Sequence, residues 1–142
     1  MILTGYKWGD RKEYVLPLDV TIPELNLSRR RMTFLVDTGS STTTICGPDA
    51  NNLDLSPLFH KKFGGAVDFQ GNIMPVKSLN NCKLDYVNED KYSVTLDVID
   101  VVVQLEHATN TYTFMESVSL LGMDFLESFK ISFKNHCVYL EK

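Results

Sequence analysis

An aspartate closing an apolar run, followed by a small hydroxyl residue, a glycine and two serines, is where this sequence gathers chemistry: Phe34-Leu35-Val36-Asp37-Thr38-Gly39-Ser40-Ser41. A strand that ends in a carboxylate fixes the position of that group, and the glycine permits the tight turn that presents it. One carboxylate can take a proton from water while a second, sharing a single proton with it, donates to a substrate carbonyl. Such a pair hydrolyses a peptide bond with neither metal nor covalent intermediate. Close like charges do not both ionise cheaply, so the titration belongs to the pair. The plain alternative is a strand-end aspartate capping a turn, for which Asp-Thr-Gly is suitable.

Other reactive residues carry no comparable pattern. His60, His107 and His136 have no motif spacing with one another or with acidic residues, and read as surface or structural histidines. Cys46, Cys82 and Cys137 are odd in number and widely separated, which fits free thiols packed as small hydrophobes and neither a disulfide framework nor a zinc site. No metal and no cofactor is expected. Ser40 lies in Thr-Gly-Ser-Ser-Thr, which does not match the Gly-x-Ser-x-Gly elbow of serine hydrolases. A cysteine peptidase built from Cys46 and a histidine has no supporting local pattern.

The elements that would position Asp37 are mostly β. Apolar residues recur at every second position in short stretches bounded by turn formers. Leu16, Leu18, Val20 and Ile22 form the first set, and Pro17 and Pro23 mark it as an edge or interrupted strand. Met32 to Val36 follows as its hairpin partner. After Asp37 come the β-branched Thr42-Thr43-Thr44-Ile45 and then Gly47-Pro48-Asp49-Ala50, where proline suits the first turn of a short helix. Phe63 to Phe69 and Ile73 to Leu79 flank Gln70-Gly71-Asn72 as a second hairpin. A turn is expected at Asn88-Glu89-Asp90. Tyr92 to Leu105 is long enough for one bulged strand or two in succession. Val118 to Leu121 ends at Gly122. Met123 to Lys130 reads as a short helix, and Ile131, Phe133, Val138 and Leu140 close the chain as strand. No repeat or long linker divides the sequence, so residues 1–142 form a single domain.

At this point the sequence resembles a known family. Apolar-apolar-Asp-Thr-Gly-Ser is the active-site signature of aspartic peptidases. The later Ser119-Leu120-Leu121-Gly122-Met123-Asp124-Phe125-Leu126 is similar to their second landmark: an apolar pair including Leu121, then Gly122, then a short helix. Asp124 is read as a cap for that helix. The resemblance covers roughly residues 14 to 141 and is to the broad retropepsin-like group. It implies a retropepsin-like barrel with one short C-terminal helix and an aspartic endopeptidase activity. With a single triplet in a chain this short, the dyad requires Asp37 from two copies, hence a twofold homodimer.

The resemblance also implies roles. Thr38 would hydrogen-bond across the axis, Gly39 would let substrate backbone approach, and Ser40 would hydrogen-bond the carboxylate. A flap hairpin with its tip at Gln70-Gly71-Asn72 would cover an extended peptide or protein substrate bound as an added strand, Gly64-Gly65 being the competing tip. The chain departs from retroviral members at two linked positions. They carry an arginine after the second-landmark glycine and an aspartate two residues past the triplet, where this chain has Met123 and Ser41. Both partners are absent together, so no buried charge is stranded, and a different dimer-stabilising scheme is implied. Tyr14 to Ile22 and Val138 to Leu140 are candidate interface strands. The rival from another class is the same fold kept as a catalytically silent dimerisation or peptide-binding module.

Composition narrows the partners. The 142 residues are 44% hydrophobic with a formal net charge of −4, which suits a folded core and supplies no basic stripe for nucleic acid or an anionic membrane. The opening Met1-Ile2-Leu3-Thr4-Gly5-Tyr6-Lys7-Trp8 turns polar too early for a signal peptide, and a cytoplasmic protein is expected.

Overall fold

In the computed structural model, described for residues 1–67, 73–88, 91–103 and 118–142, the chain is mostly β. The strands are β1 (Ile2–Lys7), β2 (Tyr14–Ile22), β3 (Leu27–Val36), β4 (Thr44–Ile45), β5 (Gly64–Val67), β6 (Ile73–Tyr86), β7 (Tyr92–Val102), β8 (Ser119–Leu121), β9 (Lys130–Lys134) and β10 (Cys137–Glu141). Two one-turn helices, α1 (Gly47–Asn51) and α2 (Met123–Leu126), interrupt them.

One sheet runs β5-β6-β7-β4-β8-β3-β2-β1-β10-β9, and an additional pairing of β6 with β2 closes its middle into a barrel-like ring. Going round, the ring is β2, β3, β8, β4, β7, β6 and back to β2. The alternation in β2 decides its inner face. Leu16, Leu18, Val20 and Ile22 are almost completely buried, and Phe34 and Met32 stand opposite Leu16 and Leu18 in the antiparallel β2–β3 register. Ile99 and Val101 of β7, Leu121 of β8 and Phe125 and Leu126 of α2 complete the same core.

Of the two readings its prolines allow, β2 is not an edge strand but one whose ladder is interrupted on one side. On the side away from β3 it pairs with β1 only at Tyr14 and Val15, and with β6 only from Asp19 to Thr21. Pro17 falls in the gap between the two, where a residue without an N–H costs no ladder hydrogen bond. Both sides of β10 are also occupied, by β1 and β9. Within the chain, therefore, neither candidate interface segment keeps an open ladder along its length.

The Met123 to Lys130 helix is shorter than expected. α2 ends at Leu126, because Lys130 already pairs with Glu141 in the β9–β10 hairpin. Phe125 and Phe129 still stack, with ring centroids 5.5 Å apart, across the turn that follows α2. That hairpin turns on Asn135 and His136, both left-handed at φ 54° and 60°, as a two-residue primed turn requires. His136 thus serves the turn. β7 is a single strand to Val102, and the rest of the expected Tyr92 to Leu105 run passes outside the described residues beyond position 103. The turn at Asn88-Glu89-Asp90 also lies partly outside them; β6 and β7 on either side are antiparallel, with Tyr86 opposite Tyr92.

Candidate active site

Asp37 follows the last residue of β3, and a crosswise arrangement of short strands fixes its position. β3 pairs in parallel with β8, Val36 opposite Leu121, and β4 packs antiparallel to β8 and parallel to β7. The chain leaving β3 and the chain leaving β8 therefore emerge side by side. The Asp37 amide donates to Leu121 O at 3.1 Å, continuing the ladder by one bond. From there the two segments are stitched together: the Met123 amide donates to Ser40 O at 2.7 Å and the Asp124 amide to Ser41 O at 3.2 Å.

The triplet forms a tight turn in which the Ser40 amide donates to Asp37 O and the Gly39 amide donates to Asp37 Oδ1 at 2.9 Å. The other carboxylate oxygen has no hydrogen-bond partner among the described residues. Thr38 and Gly39 are exposed, and the Thr38 side chain makes no hydrogen bond among the described residues. The Ser40 hydroxyl is committed to Thr42 O at 2.8 Å, so within the chain the Gly39 amide, not Ser40, orients the carboxylate.

Gly122 is required by close approach. A Cβ there would lie 2.5 Å from the Thr42 carbonyl carbon and 2.7 Å from its oxygen, backbone atoms that cannot turn aside. Asp124 is not the helix cap expected from sequence. The N-cap of α2 is Gly122, which has no side chain with which to cap the helix. The Asp124 carboxylate reaches instead to Thr43, accepting from its amide at 2.9 Å and from its hydroxyl at 2.7 Å. The buried Thr43 offers two donors at once, where a cap would satisfy one. Met123 and Ser41, the positions of the charged pair in retroviral members, sit on neighbouring stitched segments, and Met123 packs against the core.

A second brace ties α1 to β8. The Cys46 amide donates to the buried Ser119 hydroxyl at 3.1 Å, and that hydroxyl donates to Asp49 Oδ2 at 2.8 Å. Burial raises the Asp49 carboxyl, partly offset by the Ser119 hydrogen bond; burial and the nearby Asp124 charge raise Asp100, partly offset by Ser78. Each holds its proton more tightly folded than unfolded. Its stabilising contribution is complete below the ordinary carboxyl value of 3.8 and is lost as pH rises through the raised value. Asp49→Asn, which keeps an acceptor for Ser119, should raise the melting temperature at about pH 7 and leave it near wild type at about pH 3. Equal shifts at both would show that Asp49 carries its charge without cost. The cysteines are free, and burial pushes the Cys46 and Cys82 thiols up to about 12.

The strands on either side of the expected flap tip pair antiparallel, Gly64 with Val76 and Val67 with Ile73. Gly64-Gly65 lie inside β5 and are not its tip, because paired strand continues past them. Gln70, Gly71 and Asn72 lie outside the described residues. The structure thus brings Asp37 to Ser40 and Leu121 to Asp124 together. Sequence reasoning missed Thr43, although a threonine shortly after the triplet and an aspartate just past the landmark glycine are the signal for such a contact.

No protein-family profile matches this chain, and no curated protein does. Among solved structures, the crystal structure of a retropepsin-like aspartic protease from Rickettsia conorii superposes with a TM-score of 0.56 at 18% identity, covering 99% of this chain and 90% of that one. At that identity the likeness is one of fold: the chain has a retropepsin-like fold.

Proposed function

We propose that this protein is an aspartic endopeptidase in which two Asp37 carboxylates, one from each subunit of a homodimer, share a proton and activate a water against an extended peptide or protein substrate. The observation that carries this reading is the placement of Asp37. It stands on the turn after β3, one oxygen held by the Gly39 amide and the other without a partner among the described residues, on a loop stitched to a neighbouring segment of the same fold. A group that only capped its turn would need no such bracing. The exposed Thr38 is suited to a hydrogen bond across the axis, and the β5–β6 hairpin supplies the arm of a flap.

Within this reading, Asp37 orients through Gly39, the dyad removes a proton from water, and the shared proton passes to the substrate carbonyl as the tetrahedral adduct forms. Since one subunit supplies half a dyad, the specific rate must follow the dimer fraction. Cleavage of a peptide pool measured across a dilution series, alongside sedimentation velocity, should show a specific rate that rises as dimer replaces monomer. A constant specific rate from a monomer would overturn the two-subunit site. For localisation, the relevant finding is that no helix among the described residues is long and apolar enough to cross a membrane.

A further inference from the structure

We infer that Thr43 and Asp124 act as a positioning pair for the Asp37 loop, an inference that rests on the aspartic-peptidase reading of that loop. Thr43 is completely buried, and each of its polar groups is engaged. Its amide and hydroxyl both go to the Asp124 carboxylate, one to each oxygen. The same hydroxyl oxygen accepts from the Gly122 amide at 3.1 Å, and its carbonyl accepts from the Asp100 amide at 3.2 Å.

One residue thus joins three elements. Through Gly122 it holds the residue directly after Leu121, whose carbonyl receives the Asp37 amide. Through Asp124 it holds the first turn of α2, whose amides at Met123 and Asp124 fasten Ser40 and Ser41. Through Asp100 it is fixed to β7. Between Asp37 and Thr43 the chain is short and largely polar, and Thr38, Gly39 and Ser41 are exposed. Its geometry is therefore set at its two ends, and the Thr43 end is secured by side-chain chemistry. Threonine suits the task because its branched β-carbon restricts rotation about the first side-chain bond, which keeps the hydroxyl aimed.

The effect on catalysis follows from alignment. Two carboxylates sharing a proton must stand at a fixed separation, and a shift of the loop by a fraction of its hydrogen-bond length changes that separation without touching the substrate-binding walls. The signature is a fall in kcat with little change in KM.

The test compares wild type, Thr43→Val, Thr43→Ser and Asp124→Asn, with cleavage rates normalised to folded dimer and amide hydrogen exchange followed residue by residue. Thr43→Val keeps the shape and removes the hydroxyl. It should lower kcat roughly 10- to 100-fold with KM within about twofold. It should also speed exchange at the Asp37 and Ser40 amides while the β6–β7 ladder stays as protected as in wild type. Thr43→Ser should restore kcat to within about threefold. If Thr43→Val does not fold, Asp124→Asn, which keeps the size but loses one of two acceptor oxygens, should show the same local exchange and a smaller loss of kcat. Wild-type kcat in a folded Thr43→Val dimer, or exchange that speeds up evenly over the whole chain, overturns the inference and leaves the pair a general stabiliser. A wild type that cleaves nothing overturns the proposed peptidase instead, while the exchange comparison still decides whether the pair orders the loop.

Discussion

Replacing Asp37 by Asn is expected to reduce cleavage by at least about a thousandfold, within the range that general acid–base groups contribute. The amide cannot take a proton from water, and the Gly39 amide that donates to Oδ1 would still hold it in place, so the loss would come from chemistry and not from a collapsed loop. The dimer itself should persist or tighten, because the substitution removes the charge that the shared-proton pair would hold on the axis. The stronger form of the prediction concerns mixtures. If subunits exchange freely, equal amounts of wild type and Asp37→Asn leave only about one quarter of all dimers with two wild-type subunits. A mixed dimer holds one carboxylate and one amide, which cannot share a proton in the required way. Adding the variant should therefore depress the rate of a fixed amount of wild type by about half at equal mixing. A rate unaffected by added variant, once exchange is demonstrated, would mean that each Asp37 works alone.

The second large effect is expected at Gly122. Alanine there would place a methyl group 2.5–2.9 Å from the carbonyl carbon, oxygen and nitrogen of Thr42, all of them backbone. Overpacking against atoms that cannot rotate away typically costs about 1–3 kcal/mol and sometimes more. Here the relief would have to come from separating the β8–α2 segment from the chain at Thr42 that leads out of the Asp37 loop. Gly122→Ala should lower the melting temperature by roughly 10 °C and remove most of the activity, since the Leu121 carbonyl that receives the Asp37 amide lies one residue away. Gly39→Ala is the contrast: its methyl would meet only the Asp37 carboxylate oxygen at 3.2 Å, a side-chain atom. A Gly122→Ala protein that melts like wild type would mean that the two segments are not pressed together as described.

What could be read from the sequence was local. The alternation of Leu16, Leu18, Val20 and Ile22 predicted the inner face of β2, and the glycine and proline at positions 47 and 48 predicted α1, because burial at every second residue and a preset φ act within a few residues. What escaped was non-local. β1 carries Leu3 and Gly5 as its buried positions, too weak an alternation to announce a strand, and it exists because β10 from the far end of the chain pairs with it from Tyr6 to Ile2. Pro17 left edge and interrupted strand both open for the same reason: the gap between β1 and β6 that accommodates it is a property of the assembled sheet.

The candidate site divides along that line too. The Asp37 turn is contiguous in sequence, and its main-chain geometry follows from a small hydroxyl residue and a glycine after a strand. Thr43 belongs to a run of three threonines that differ little as strand formers. Which of them is fully buried with its hydroxyl on Asp124 depends on the way β4 settles between β7 and β8, and both of those strands come much later in the chain. Asp124 looked like a cap because acidic residues favour the first turn of a helix; the pull of two buried donors on Thr43 outweighs that preference.

The claim that Asp37 performs peptide hydrolysis is tested most directly by mass-spectrometric profiling of a diverse peptide pool between about pH 4 and 8, with wild type and Asp37→Asn in parallel. The account predicts cuts made by wild type and missing with the variant, within a pH window set by a shared-proton pair. Cuts of equal number and position with both proteins, or none from a wild type shown to be a folded dimer, would contradict it and leave the fold as a dimerisation or peptide-binding module.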